Sequence, residues 1–129
     1  MVLDASGALE FLLNTARGRR LASRLADGAE VVHAPHLIDI EIAHVLRRYV
    51  LDGTLDERRA LLALQQWRQL DVARYPHEPF LDRVWGLRKN VTAYDAIYVA
   101  LAETLGERLV TGDRRLAGSP RLHVRVELI

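Results

Sequence analysis

Short apolar runs alternate with amphipathic segments from one end of this chain to the other, and that alternation leaves few folds open. Met1-Val2-Leu3, Val31-Val32-His33-Ala34, Val72-Ala73-Arg74, Leu109-Val110-Thr111 and Val124-Arg125-Val126 are too short to be helices and read as strands. Between them lie segments with apolar residues every three or four positions. Strands separated by helices pair in parallel, because each crossover must cover a sheet face before the next strand is laid down. The expected architecture is therefore α/β, a three-layer α/β/α arrangement around a central, mostly parallel sheet.

The helical segments have readable ends. Asp4-Ala5-Ser6-Gly7 is a turn sequence, and Ser6 is the expected cap of a helix reaching Asn14. A second helix is expected over Gly18 to Leu25, closed by an Asp27-Gly28 turn. Pro35 opens the next, over His36 to Leu51, with a stripe of Ile38, Ile42, Val45, Leu46 and Tyr49. Glu41 lies at the edge of that stripe, with Leu37, His44 and Arg48. Asp52-Gly53 ends the helix. Asp56 caps another, carrying Leu61, Leu64, Trp67 and Arg68, and Pro79 to Leu87 reads as a short helix. Thr92-Ala93-Tyr94-Asp95 matches a capping box, with Asp in the usual Glu position. The helix it starts carries Tyr94, Ile97, Tyr98, Leu101, Ala102 and Leu105, and Gly106 stops it.

At 129 residues the chain is long enough for a packed core, and residues 1–129 are expected to form one domain. The absence of cysteine excludes disulfides, zinc–thiolate sites and thiol catalysis. No apolar run approaches the length of a membrane span, and the N-terminus lacks a basic segment followed by a long apolar one, so a cytoplasmic protein is expected. A formal net charge of +1 gives no bulk attraction to nucleic acid, so any such partner has to be recognised locally.

Four acids occupy the ends of these elements: Asp4 and Asp113 follow strands, while Glu41 and Asp95 sit in the first turns of helices. In parallel sheets function gathers beyond the carboxyl ends of the strands, where all four can meet. Ionised carboxylates share a small pocket only when cations neutralise them, and oxygen-only ligands select magnesium or manganese. Two such ions about 4 Å apart support in-line attack of water on a phosphodiester. Taken singly each acid has an ordinary explanation as a cap or turn residue; their common placement at one sheet end does not.

Four segments also resemble one family. Val2-Leu3-Asp4-Ala5-Ser6, Ile40-Glu41-Ile42-Ala43-His44-Val45-Leu46-Arg47-Arg48, Thr92 to Leu101 and Leu109-Val110-Thr111-Gly112-Asp113-Arg114-Arg115-Leu116 are similar to PIN-domain ribonucleases, particularly the VapC-type toxins of bacterial toxin–antitoxin pairs. The resemblance implies that Asp4, Glu41, Asp95 and Asp113 surround Mg2+ or Mn2+, with Asp4 and Asp95 as main ligands. Glu41 and Asp113 then bind through water or orient the attacking water. Ser6 and Thr111 match the small hydroxyl positions beside the quartet. RNA (tRNA, rRNA or mRNA) is the implied substrate, with homodimerisation and inhibition by a small cognate antitoxin. Many relatives carry a further acid shortly after the Thr-x-Asp motif; here Arg114-Arg115-Leu116 follows, which implies one firmly held ion until substrate phosphate supplies ligands.

Arg114 and Arg115 adjoin this site and are the expected RNA contacts. Arg17, Arg19, Arg20 and Arg24 form a run that suits phosphates, an acidic partner or a solvated helix face. Arg47 and Arg48 read as surface or interface positions. Tyr94 and Tyr98 are expected in the core, and Trp67 and Trp85 suit either core or dimer contacts. Ser6 has no spaced His/Asp partners for nucleophilic catalysis. The rival readings are a low-activity domain of the same fold that mainly binds protein or RNA, and a phospho-acceptor receiver. The latter needs a lysine near the last strands, whereas the lone lysine is Lys89.

Overall fold

In the computed structural model, which describes residues 1–26, 28, 30–119 and 122–129, five strands form one sheet in the order β3-β2-β1-β4-β5, every pairing parallel. The strands are β1 (Val2–Leu3), β2 (Val32–Pro35), β3 (Val72–Tyr75), β4 (Leu109–Thr111) and β5 (Val126–Leu128). The helices are α1 (Ala5–Leu12), α2 (Ala16–Ala26), α3 (Leu37–Leu51), α4 (Glu57–Gln69), α5 (Leu81–Gly86), α6 (Ala93–Leu105) and α7 (Arg114–Ala117), with a 3-10 turn at Glu78–Phe80. Helices α1 to α4 pack on one another and reach the sheet through α1 and α3, while α5 packs on α6, which lies against β1, β2 and β4. The three-layer expectation holds, and the sheet is wholly rather than mostly parallel.

Burial explains the centre. β1 and β4 are covered on both faces, so Val2, Leu3, Leu109 and Val110 are fully buried and carry no alternation. Helix α6 buries every residue from Ala96 to Ala102, which fits a helix wedged between sheet and neighbours rather than one lying on the surface. Gly18 permits the tightest crossing. A methyl group there would stand 1.8 Å from the Glu10 carbonyl oxygen, so only glycine lets α2 press on the end of α1.

Several boundaries differ from those expected. Asp4, not Ser6, caps α1, its carboxylate accepting from the Gly7 amide, and the helix stops at Leu12, with Asn14 taking a left-handed φ of 56°. Helix α2 starts at Ala16 because the Thr15 hydroxyl accepts the Gly18 amide. Asp27 of the Asp27-Gly28 turn lies outside the described residues. Pro35 ends β2 instead of opening α3, whose first amide, at Leu37, is accepted by His77 Nε2 at 3.0 Å. The stripe assigned to α4 is only partly in phase: Trp67 is buried and Leu64 packs against the core, but Ala60 and Ala63 take the other core positions and Leu61 is exposed. Segment Pro79 to Leu87 divides into the 3-10 turn and α5. The last strand lies two residues later than expected, its register set by Leu109 donating to Arg125 O and Ile129 donating to Thr111 O.

Beside the amino ends of β1, β2 and β4, charges are matched. Arg24 and Arg108 both reach Glu30 and Glu127, and the N-terminal ammonium pairs with Glu107 at 3.1 Å. Arg108 Nε stands 2.9 Å from Glu127 Oε2, within ion-pair reach but not aligned as a hydrogen bond. Burial opposes ionisation of Glu30, yet Arg108 and Arg24 outweigh it and hold its carboxyl below the usual range.

Candidate active site

At the opposite end of the sheet the chain turns from β1 into α1 and from β4 into α7, two adjacent parallel strands ending side by side. Asp4 and Asp113 are the residues at these two exits. Each caps the helix that follows it, so the same short loops that end the strands fix both carboxyl groups. Asp95 stands in the first turn of α6. Glu41 lies in the second turn of α3 rather than the first, because that helix begins at Leu37. All four line one cavity of about 790 Å3, together with Ser6, His44, Arg48, Tyr98 and Arg115.

Hydroxyl groups tie the two strand ends together. Ser6 Oγ donates to Asp4 Oδ1 at 2.7 Å and accepts the Gly112 amide at 2.7 Å. Thr111 Oγ1 donates to Asp4 Oδ2 and accepts the Asp113 amide at 2.9 Å. With both protons aimed at Asp4, the 3.2 Å approach of Ser6 Oγ to Thr111 Oγ1 is a contact between two committed groups. A methyl at Gly112 would lie 3.2 Å from Ser6 Oγ, so the bare backbone there keeps the amide in reach. Ser6 and Thr111 thus stand beside the quartet, with Thr111 fully buried.

The acids differ in environment. Burial pushes Asp4 up; hydrogen bonds from Thr111, Gly7 and Ser6 pull it down without cancelling burial, and the charge of Asp95 adds to the rise. Burial also raises Glu41, against the pull of a hydrogen bond from Tyr98 Oη to its Oε2, and Asp4 and Asp95 push in the same direction. Tyr98 is itself driven upward, first by burial and then by Glu41, so it remains a phenol that donates. Partial burial opposes ionisation of Asp113, but the Arg115 amide and guanidinium prevail and keep it low. Asp95 Oδ2 accepts the Thr92 hydroxyl at 2.8 Å, and that hydroxyl accepts the Asp95 amide. This closes the box through the side-chain hydroxyl instead of the Thr92 amide.

The donor set is hard oxygen throughout, which fits magnesium or manganese, and like charges that raise one another are the condition a divalent cation relieves. Among the described residues no three His, Cys, Asp or Glu side chains are drawn close enough to hold an ion, so the acids line a shared cavity and not a closed cage.

Tyr98 was expected only in the core; it is buried, but its hydroxyl serves Glu41, a role signalled by its position three residues after Asp95 on one helix face. Tyr94 is not in the core: it is 63% exposed at the cavity rim. Trp67 is a core residue whose Nε1 donates to Asp39, and Trp85 is 69% exposed. Arg115 lines the cavity, Arg114 does not, and Arg48 joins it from α3. Within the early arginine run, Arg17 pairs with Glu10 and Arg24 with Glu30 and Glu127.

Comparison with known proteins bears on all of this. The family model for the PIN domain matches residues 1–121. Ribonuclease VapC9 of Mycobacterium tuberculosis is 43% identical over 129 residues, covering 100% of this chain and 98% of the relative. Among solved structures, PAE2754 from Pyrobaculum aerophilum superposes with a TM-score of 0.72 at 23% identity, over 97% of this chain and 81% of that one. A toxin–antitoxin complex from Klebsiella pneumoniae does so with a TM-score of 0.56 at 19% identity, over 92% of each chain.

Proposed function

The chain belongs to the PIN-domain family, among the VapC ribonucleases, and from that premise we propose that its acid cavity is the centre of a divalent-metal-dependent endoribonuclease toxin. One observation carries the reading: carboxylates from four separate elements line one cavity, and two of them are pushed toward protonation by burial and by their acidic neighbours. A retired site has no reason to keep such mutually repelling charge, which weighs against a domain that only binds protein or RNA.

Asp4 and Asp95 are the principal ligands in this reading. A magnesium or manganese ion, when bound, supplies an acidified water as nucleophile and neutralises charge on the phosphate. The chain's own residues do the rest. Ser6, Thr111 and the Gly7 amide fix the Asp4 carboxylate from three sides. Tyr98 anchors one oxygen of Glu41 and leaves the other to orient the attacking water. Asp113, kept ionised by Arg115, would bind the ion through water or help orient the attacking water. The substrate is tRNA, rRNA or mRNA, and a small cognate antitoxin silences the site. Apolar rim residues Ile40 and Tyr94, exposed at 70% and 63%, offer it purchase. Exposed Leu51, Leu61 and Leu62 on α3 and α4 support association into a homodimer. No helix among the described residues is long and apolar enough to cross a membrane, and the proposed location is the cytoplasm. We take residues 1–129 as one nuclease domain.

The test is cleavage of purified RNA by the full chain with magnesium or manganese and with EDTA. Internal cuts that vanish with EDTA and in Asp4→Asn and Asp95→Asn are expected. Undiminished cutting in EDTA, or in both variants, overturns the assignment.

A further inference from the structure

A polyanion approaching four carboxylates needs cations at the rim, and apart from Arg48 on α3 the structure gathers them on the side of Arg115. The acid cavity is bordered by an apolar wing that includes Leu9, Leu13, Leu37 and Val45, and among the described residues the only cations lining it are Arg48 and Arg115. A second groove, of about 470 Å3, shares Asp95, Asp113 and Arg115 with it and runs on past Arg88, Lys89 and Ser119. The two grooves are therefore continuous through the mouth. Arg88 and Lys89 belong to the segment joining α5 to α6 and are exposed. Unlike Arg17, Arg24, Arg74, Arg83 and Arg108, neither has a carboxylate partner among the described residues. Arg88 is nevertheless held in place: its guanidinium lies 5.0 Å from the Trp85 ring centroid, and Nη1 donates to the Trp85 carbonyl at 3.0 Å. A posture fixed without neutralisation is what a phosphate contact requires.

We propose that the sugar–phosphate backbone of single-stranded RNA runs along this second groove, with Arg88 and Lys89 gripping phosphates adjacent to the bond held at the acids. The inference rests on the nuclease reading and adds a direction to it: the strand leaves the mouth toward the α5–α6 connection, away from the apolar wing and away from α2. Thr92 and Ser119 line the groove wall, but their hydroxyl protons are already given to Asp95 and to the Arg115 carbonyl, so the phosphate contacts fall to the cations. Such contacts set register and do not select sequence.

Binding of a fluorescein-labelled, mixed-sequence single-stranded 20-nucleotide RNA, followed by anisotropy across a salt series in an Asp4→Asn background that cannot cut it, tests the proposal. The double variant Arg88→Gln/Lys89→Gln should lower the slope of log affinity against log salt by about 1.4, roughly 0.7 for each phosphate that is no longer neutralised. Arg88→Lys, which keeps the charge, should retain the slope. Arg19→Gln/Arg20→Gln, which removes as much charge from α2, should leave it unchanged. An unaltered slope in the first variant, or an equal fall in the α2 variant, overturns the track while the wild type continues to cut RNA. A wild type that neither binds nor cuts RNA overturns the nuclease reading, and the track falls with it.

Discussion

The two ends of the sheet are built from the same residue types and balance their charge in opposite ways. At the amino end, Glu30 and Glu127 each meet both Arg24 and Arg108, and Glu107 meets the N-terminal ammonium. At the carboxyl end, Asp4, Glu41 and Asp95 line one cavity, and their near neighbours are hydroxyls, amides and each other. Of the four acids there, Asp113 alone is paired with a cation among the described residues, the solvent-exposed Arg115. Direction of pKa shift follows from this: Glu30 is held down by its arginines, whereas Asp4 and Glu41 are raised by burial and by fellow acids. Charge matched within the chain stabilises the fold; charge left unmatched is a demand for something from outside.

The contrast breaks most visibly in activity. Asp4→Asn should lower RNA cleavage by at least about 100-fold, as expected when a preorganised charge at the reacting centre is removed. Its melting temperature should hold, because an amide can still cap α1 through Gly7 and meet Thr111. Arg108→Gln should do the reverse. Cleavage persists, while partly buried Glu30 and Glu127 lose half their neutralisation, at a cost of about 1–3 kcal/mol read as a lower urea midpoint. A variant that loses both properties at either end would dissolve the distinction.

Smaller effects sharpen it. Manganese at 100 times its dissociation constant should stabilise the wild type by about 2.7 kcal/mol at neutral pH and leave Asp4→Asn/Asp95→Asn unmoved in a thermal melt. Dependence on pH should then carry opposite signs at the two ends. A raised carboxyl contributes stability present below its unfolded pKa and lost as pH rises through its folded one, so metal-free Glu41→Gln should exceed wild type at neutral pH and converge with it in acid. A lowered carboxyl contributes stability present above its unfolded value and lost as pH falls through its folded one. Glu30→Gln should therefore be the weaker protein at neutral pH and converge with wild type in acid. Melting curves at pH 7.5 and pH 4 decide the first, and a series carried on well below pH 4 decides the second; like signs would refute the account.

Strand–helix alternation made the parallel sheet legible, because burial on both faces writes continuous apolar runs such as Leu109-Val110 into the chain. The acids were legible because strand ends and helix starts have local signatures. What escaped was set by distant partners. Ser6 resembles a cap, but the capping group is Asp4, and Ser6 is turned to hold that carboxylate against Gly112. On α4, Ala60 and Ala63 share the buried face with Trp67, and leucine spacing alone does not point to them. The start of α3 is completed by His77, forty residues on. Tyr94 carries the α6 periodicity and is exposed, because the helix emerges at the cavity rim one turn before it is enclosed. The basic groove went unread because Arg88 and Lys89, although they stand just before the Asp95 helix, carry no local signature that ties them to the acids.

The hydroxyl bridge between the exits of β1 and β4 has a temporal meaning as well. Asp4 and Thr111 are 107 positions apart, so synthesis delivers one well before the other. A growing chain therefore holds its first acid without the strand that seats it. The cavity at the carboxyl end of the sheet is complete only once β4 has been made and laid beside β1.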